Sequence, residues 1–252
     1  MAADKLERLK EQLKVLGLRE IMEIFEGEAD KAIKTKLGYI GYLSKLIEEE
    51  TLAKTDRSIN RRIQTAKFPW TKSLEEFDFS FQPSIDEEKI LKLTDLSFID
   101  KKENIFFLGP PGVGKTHLAI GLAIKACMAR YRVLFQITDD IIGYLYASLV
   151  DHTTGKKLDA LSRLHLLVID ELGYLPMNSE KAKLFFQLIS KRYEVGSIIL
   201  TSNKAFDEWG SIFGDEVTAA AIIDRLVHHS HIFNINGRSY RVKDKLDKDR
   251  EG

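Results

Sequence analysis

The stretch Gly109-Pro110-Pro111-Gly112-Val113-Gly114-Lys115-Thr116 leaves this chain few folds to choose from. Three glycines and two prolines within eight residues suit neither a helix interior nor a strand interior, so the stretch is a loop. An apolar run, Ile105 to Leu108, precedes it, and an apolar, Ala-rich run, Leu118 to Met128, follows it. This pattern predicts strand, loop and helix in succession. Glycines there let backbone N–H groups turn inward around a phosphate, and the start of the helix adds its positive end. Lys115 can then reach the β- and γ-phosphates, and the Thr116 hydroxyl can hold Mg²⁺. The candidate nucleotide-binding set is Gly109, Pro110, Pro111, Gly112, Val113, Gly114, Lys115, Thr116 and His117.

Downstream, Leu166-Leu167-Val168-Ile169 is an apolar strand that ends in Asp170-Glu171. In ATPases built on such a loop, the acid closing this strand holds Mg²⁺, directly or through water, and Asp170 takes that role. Successive side chains diverge at a strand end, which frees Glu171 to polarise an attacking water as the general base. A later apolar run, Ser197 to Thr201, reads as a strand closing on Ser202-Asn203. Parallel strands deliver their C-terminal ends to one edge, so Asn203 can face the γ-phosphate or the water; equally, Asn is a common strand-end turn residue.

The 252 residues suffice for one sizeable core and a smaller module. Basic and acidic residues balance at 38 each, so any nucleic-acid binding must come from local patches. The single cysteine, Cys127, excludes an internal disulfide and a Cys-based zinc module and suits a reducing cytoplasm. The first twenty residues alternate charges with leucines, giving neither a signal peptide nor a membrane span.

Leu6, Leu9, Leu13 and Leu16, then Ile21, Ile24 and Phe25, recur at helical spacing, with a break near Gly17. A further helix is expected from about Ala29 to Glu50, with Ile33, Leu37, Ile40, Leu43 and Ile47 on one side and Tyr39 and Tyr42 packing between helices. These segments predict a small helical domain over residues 1–75, followed by a larger domain over 76–252. From Thr51 to Lys72 there are six basic residues and one acid. Arg57, Arg61 and Arg62 can share a helical face, and Lys67 follows before Pro69 stops the helix. The face can neutralise DNA phosphates; it is equally an ordinary solvated helix joined to the aromatic anchor Phe68 and Trp70.

Phe77, Phe79 and Phe81 alternate with polar residues, as in an extended segment with one buried side, and such a lead-in can flank an adenine. Arg132 to Ile137 reads as a second strand, with Thr138 as a cap for the helix after it. Glu216 to Val227 reads as a helix, followed by either a hairpin about Asn236-Gly237 or a final strand. His228, His229 and His231 have no Cys or other His near in sequence to complete a metal site.

Taken together, GPPGVGKTHLA (from Gly109), LLVIDELGYLP (from Leu166), ISKRYEVGSIILTSN (from Ile189) and DRLVHHSHIFNINGRSYR (from Asp224) resemble the IstB-like ATP-binding proteins, transposition helper ATPases of bacterial insertion sequences. That family is similar in its ATPase domain to DnaC-type helicase loaders within the AAA+ class. The resemblance extends through the N-terminal region and implies an α/β P-loop NTPase of AAA+ type. A parallel sheet would be flanked by helices, with a small all-helical domain before it and no C-terminal helical lid. It further implies Asn203 as a polar sensor, Arg225 as an arginine finger acting on a neighbouring subunit, and Arg241 as a second sensor. The implied protein uses ATP and Mg²⁺ in the bacterial cytoplasm and assembles as a homo-oligomer with ATP on duplex DNA. There it deforms the DNA and recruits or stimulates a cognate transposase. The alternative is a helicase loader, whose N-terminal helices would dock a protein.

Overall fold

The computed structural model describes residues 2–240. Two compact units divide between Arg61 and Arg62. The first is built from α1 (Ala2–Val15), α2 (Arg19–Thr35) and the greater part of α3 (Tyr39–Thr65). Gly17, at φ 68°, separates α1 from α2. The expected helix from Ala29 to Glu50 is interrupted: Lys36 adopts a left-handed C-cap at φ 54°, its N–H satisfying carbonyls at the end of α2, and α3 starts three residues later.

Leu13, Ile21, Phe25 and Leu46 form the small core of this unit, and the Tyr42 hydroxyl donates to the Phe25 carbonyl at 2.9 Å. Tyr42, Leu46 and Glu50, at i, i+4 spacing, thus define the inward face of α3. The stripe expected to pack is turned away by that choice. Ile40, Leu43 and Ile47 are exposed, as are Ile33 and Leu37, and Tyr39 is 94% exposed. Glu50 is buried because both its oxygens are used: Oε2 accepts the Ile21 N–H at 3.0 Å, and Oε1 accepts from Arg57 Nη2 at 2.8 Å.

The second unit contains one sheet among the described residues. Its strands are β1 (Asn104–Leu108), β2 (Val133–Ile137), β3 (Leu166–Leu172), β4 (Ser197–Ser202) and β5 (Ser230–Asn234). All pairings are parallel, in the order β2-β3-β4-β1-β5. Ile105 and Phe107 join one apolar core, while Phe106 and Leu108 join the other, as alternation along a strand covered on both faces requires. The covering helices are α4 (Glu87–Lys92), α5 (Ser97–Asp100), α6 (Lys115–Met128), α7 (Thr138–Ala147), α8 (Thr154–Ser162), α9 (Ser179–Arg192), α10 (Trp209–Phe213) and α11 (Glu216–Val227). Buried Cys127 lies in α6, where desolvation pushes its thiol up to about 11 and keeps it unreactive at neutral pH.

Residues 62–75, assigned by composition to the helical module, pack within this second unit. Ala66 is fully buried, its carbonyl accepts the Phe135 N–H at 2.7 Å, and the Phe68 ring meets Phe135 at 6.3 Å. The alternating phenylalanines do not form an extended segment. Short 3₁₀ turns at Leu74–Glu76 and Phe79–Phe81 bend the chain, the second held by Asp78 accepting the Phe81 N–H. Of the two endings foreseen, β5 supplies the final strand, and no second strand follows it among the described residues. After β5 the Asn236 N–H donates to Ser84 Oγ, and Gln82 Nε2 donates to the Arg238 carbonyl at 2.7 Å. No helical lid follows β5 among the described residues.

Candidate nucleotide site

A parallel sheet brings its C-terminal strand ends to one edge, and here β4 lies between β1, which feeds the glycine loop, and β3, which carries the acids. The resulting cleft is lined by Gly112 to His117, by Glu171 at the end of β3 and Tyr174 after it, and by Thr201 of β4. Trp70, Lys72, Glu76, Phe77, Asp78 and Gln82 of the lead-in and Tyr240 complete it.

The loop is shaped for close backbone approach. Gly109 and Gly112 have φ of 145° and 83°, and a Cβ would come 2.1 Å from the Ile235 carbonyl at the first and 2.1 Å from Ser239 Oγ at the second. Only glycine meets both conditions. The Tyr240 N–H donates to the Gly112 carbonyl at 2.8 Å, fastening the loop to the segment after β5. Lys115 is 7% exposed, and its ammonium donates to the carbonyls of Gly109 and Pro110, both at 2.7 Å. His117 Nε2 lies 2.8 Å from the Ser73 carbonyl, and its ring is edge-on to Trp70 and Phe77, at 5.6 and 5.3 Å. The ring of Trp70, which the sequence offered as an aromatic anchor, stands in the cleft wall beside His117.

The Thr116 hydroxyl lies 3.0 and 3.1 Å from the two oxygens of Asp170. An alcohol and a buried carboxylate converging beside the loop form the hard oxygen donor set that Mg²⁺ takes, so these residues fit that ion. Burial raises the pKa of Asp170 above the ordinary carboxylate value, opposed by the hydroxyls of Thr201 and Thr116 and by the charge of Lys115. Glu171, by contrast, is exposed and has a left-handed backbone at φ 62°. The β3–β4 register explains this. Ile169 pairs with Leu200 and Leu172 with Ser202, so three steps on β3 oppose two on β4 in a bulge containing both acids.

Thr201 is the residue that sequence reasoning missed. Its Oγ1 donates to Asp170 Oδ1 at 2.5 Å and accepts the Glu171 N–H at 3.0 Å. A hydroxyl closing an otherwise apolar strand was the available signal. Asn203, just past the end of β4, is not among the residues lining the cleft; its Oδ1 is buried beside Gly173 without a hydrogen-bond partner among the described residues. Thr138, expected as a cap, is instead the first residue of α7, and its hydroxyl donates to the Asp170 carbonyl at 2.8 Å.

Arg225 does not line this cleft. Its Nη1 donates to the Ala221 carbonyl at 3.0 Å, and the guanidinium sits 4.7 Å from the Phe186 ring centroid. Arg241 lies outside the described residues. Among the basic residues, Arg57 is paired with Glu50 and lies 3.9 Å from Glu20, Arg62 is half-buried, and Arg61 and Lys67 are exposed. The three histidines separate, since His231 bonds Glu103 at 2.9 Å. His228 and His229 instead approach Glu194, with ligand-capable atoms within 4.8 Å; all three are solvated, and His228 Nδ1 already engages the Tyr193 hydroxyl.

A model of the family described as IstB-like ATP binding proteins matches residues 11–248. The ATP-binding protein of insertion sequence IS21 from Pseudomonas aeruginosa is 45% identical over 95% of this chain and 91% of its own length. Among solved structures, the DnaC helicase loader matches with a TM-score of 0.51 at 23% identity, covering 59% of this chain and 87% of its own. AMPPCP-bound DnaA from Aquifex aeolicus matches with 0.56 at 21%, covering 73% and 56%. These two likenesses concern the fold. No described helix is long and apolar enough to cross a membrane.

Proposed function

This chain belongs to the family of IstB-like ATP-binding proteins, and from that premise we propose that it is an Mg²⁺-dependent ATPase that assembles on duplex DNA in the bacterial cytoplasm, deforms it, and recruits or stimulates a cognate transposase. The observation that carries the enzymatic part is the junction of Thr116, Asp170 and Glu171 beside the glycine loop. The transposition part rests on relatives named for insertion sequences.

In this reading the loop N–H groups and Lys115 hold the phosphates, with the Lys115 ammonium exchanging its two loop carbonyls for phosphate oxygens. Trp70, Phe77 and His117 supply the aromatic wall beside them. Thr116 and Asp170 would hold Mg²⁺, which supplies neutralisation of charge on the β- and γ-phosphate oxygens. The exposed Glu171 carboxylate takes a proton from the attacking water. Asn203 acts as a polar sensor, and Arg241 reads the nucleotide of its own chain. Arg225, held on α11 away from its own cleft, acts on the nucleotide of an adjacent subunit, which makes turnover depend on assembly. Arg57, Arg61, Arg62 and Lys67 belong to the basic stretch that meets DNA, with Arg61 and Lys67 the most available to phosphates.

Two variants test the whole reading. Lys115→Ala is expected to lose ATP binding, and Glu171→Gln to keep it while phosphate release falls about 10²- to 10⁴-fold. Trapped in its ATP state, the Glu171 variant should retain long duplex DNA longest, as discrete oligomers by electron microscopy. Duplex retention and assembly that ignore nucleotide would sink the proposal and turn attention to a protein-docking role.

A further inference from the structure

We propose that Thr201 is the positioning residue of the hydrolytic centre: one hydroxyl, at the end of the strand between the loop strand and the acid strand, fixes both acids at once. The inference rests on Glu171 acting as the base, and it deepens that reading.

A regular β3 would place Asp170 and Glu171 on opposite faces of the sheet, where they could not serve one cleft. The bulge solves this by turning Glu171 through a left-handed conformation, a strained state for a non-glycine residue that persists only where its surroundings hold it. The bulge also leaves the Glu171 N–H without a ladder partner, because Leu172 resumes pairing only at Ser202. Thr201 Oγ1 accepts that N–H at 3.0 Å. The hydroxyl proton goes to Asp170 Oδ1, an oxygen that the Thr116 hydroxyl also approaches, at 3.0 Å. Thr201 is 1% exposed, so a side chain without the hydroxyl leaves the Glu171 N–H and Asp170 Oδ1 short of a partner in a buried position. The hydroxyl thereby couples the orientation of the buried acid to the backbone that aims the exposed one. Asn203, next but one along the chain, makes no such contact.

Thr201→Val removes the hydroxyl at nearly constant volume, and Thr201→Ser keeps it. A misplacement of about 1 Å at a reacting group can cost on the order of 10²-fold, so we expect kcat for Thr201→Val to fall about 10- to 100-fold. Affinity for a fluorescent ATP analogue should stay within about threefold, since the loop and Lys115 are untouched, and Thr201→Ser should recover most of the rate. A second readout does not involve turnover. Amide hydrogen exchange of the Leu166–Leu172 peptide should lose protection in the valine variant and regain it in the serine variant. Wild-type kcat and unchanged exchange in Thr201→Val would overturn the proposal; so would a serine variant as impaired as the valine one. Glu171→Gln, assayed in parallel, separates the two levels. If it turns over normally, the base assignment fails, and the exchange measurement alone then decides whether Thr201 sets the bulge. Thr201→Ala carries the same expectations should the valine variant not fold.

Discussion

Replacing Arg57 by alanine should damage the helical unit more than any DNA contact it could make. Leu18, at the N-cap of α2, supplies no side-chain cap, and the first turn of that helix is satisfied from α3 instead, by Glu50 Oε2 accepting the Ile21 N–H. The Glu50 side chain is only 4% exposed, and Arg57 is its close cation at 2.8 Å; Lys54 stands off at 3.9 Å. Removing one partner of a fully buried pair costs about 3–5 kcal/mol, whereas an exposed pair is worth about 0–1. Arg57 is 40% exposed, and Glu50 would keep the Ile21 N–H, so the expected loss is intermediate, roughly 1.5–3 kcal/mol. In a unit this small that is a fall of roughly 6–24 °C in its transition. Differential scanning of the full chain would measure it, with Arg61→Ala as the control at an exposed site, and exchange of the Ile21 amide would locate it. Combining Arg57→Ala with Glu50→Gln should restore part of the loss, because the buried charge goes with its partner. The reasoning is refuted if Arg57→Ala lies within about 0.5 kcal/mol of Arg61→Ala and Ile21 exchanges as in the wild type.

Two further predictions concern the proposed assembly. Arg225→Ala should leave ATP binding by the isolated subunit intact and abolish DNA-stimulated turnover; mixing it with Lys115→Ala protein should restore part of the activity, and co-assembled mixtures that stay inactive would exclude action between subunits. Replacing Arg61 and Lys67 together should weaken duplex binding across unrelated sequences and flatten its salt dependence by roughly 1.8 per bound copy, two contacts at about 0.9 each. An unchanged slope in a titration with a non-hydrolysable ATP analogue would remove this stretch from the DNA interface.

The strand-loop-helix around Gly109 and the acid-ended strand were legible because their chemistry is local: glycine and proline punctuate, and a wholly apolar strand announces its burial. Glu216–Val227 was found to the residue, since Asp215 caps one end and polar histidines follow the other. Periodicity failed on α3 because a long helix can carry two apolar stripes, and only the partner helices choose between Leu43 and Leu46. Arg57 illustrates the same limit for charge, because its acid lies seven residues away along the helix and reveals itself only through burial. Thr201 was invisible for a different reason. Its role depends on the register of β3 against β4, and a one-residue bulge is not written in either strand alone.

The strand order has a consequence for biogenesis. β1, almost wholly apolar, is synthesised before every strand of the sheet, yet its two neighbours are β4 and β5. At about 5–20 residues per second, β5 emerges roughly 120 residues after β1, some 6–25 s later. Throughout that interval the strand that feeds the phosphate loop has at least one open edge, and the Gly112 carbonyl still lacks the Tyr240 N–H that fastens it. The catalytic loop is therefore among the last parts of the nascent chain to acquire its shape. A chain interrupted before Ser230 would present an adhesive apolar edge, the kind of surface that holdase chaperones and proteases recognise.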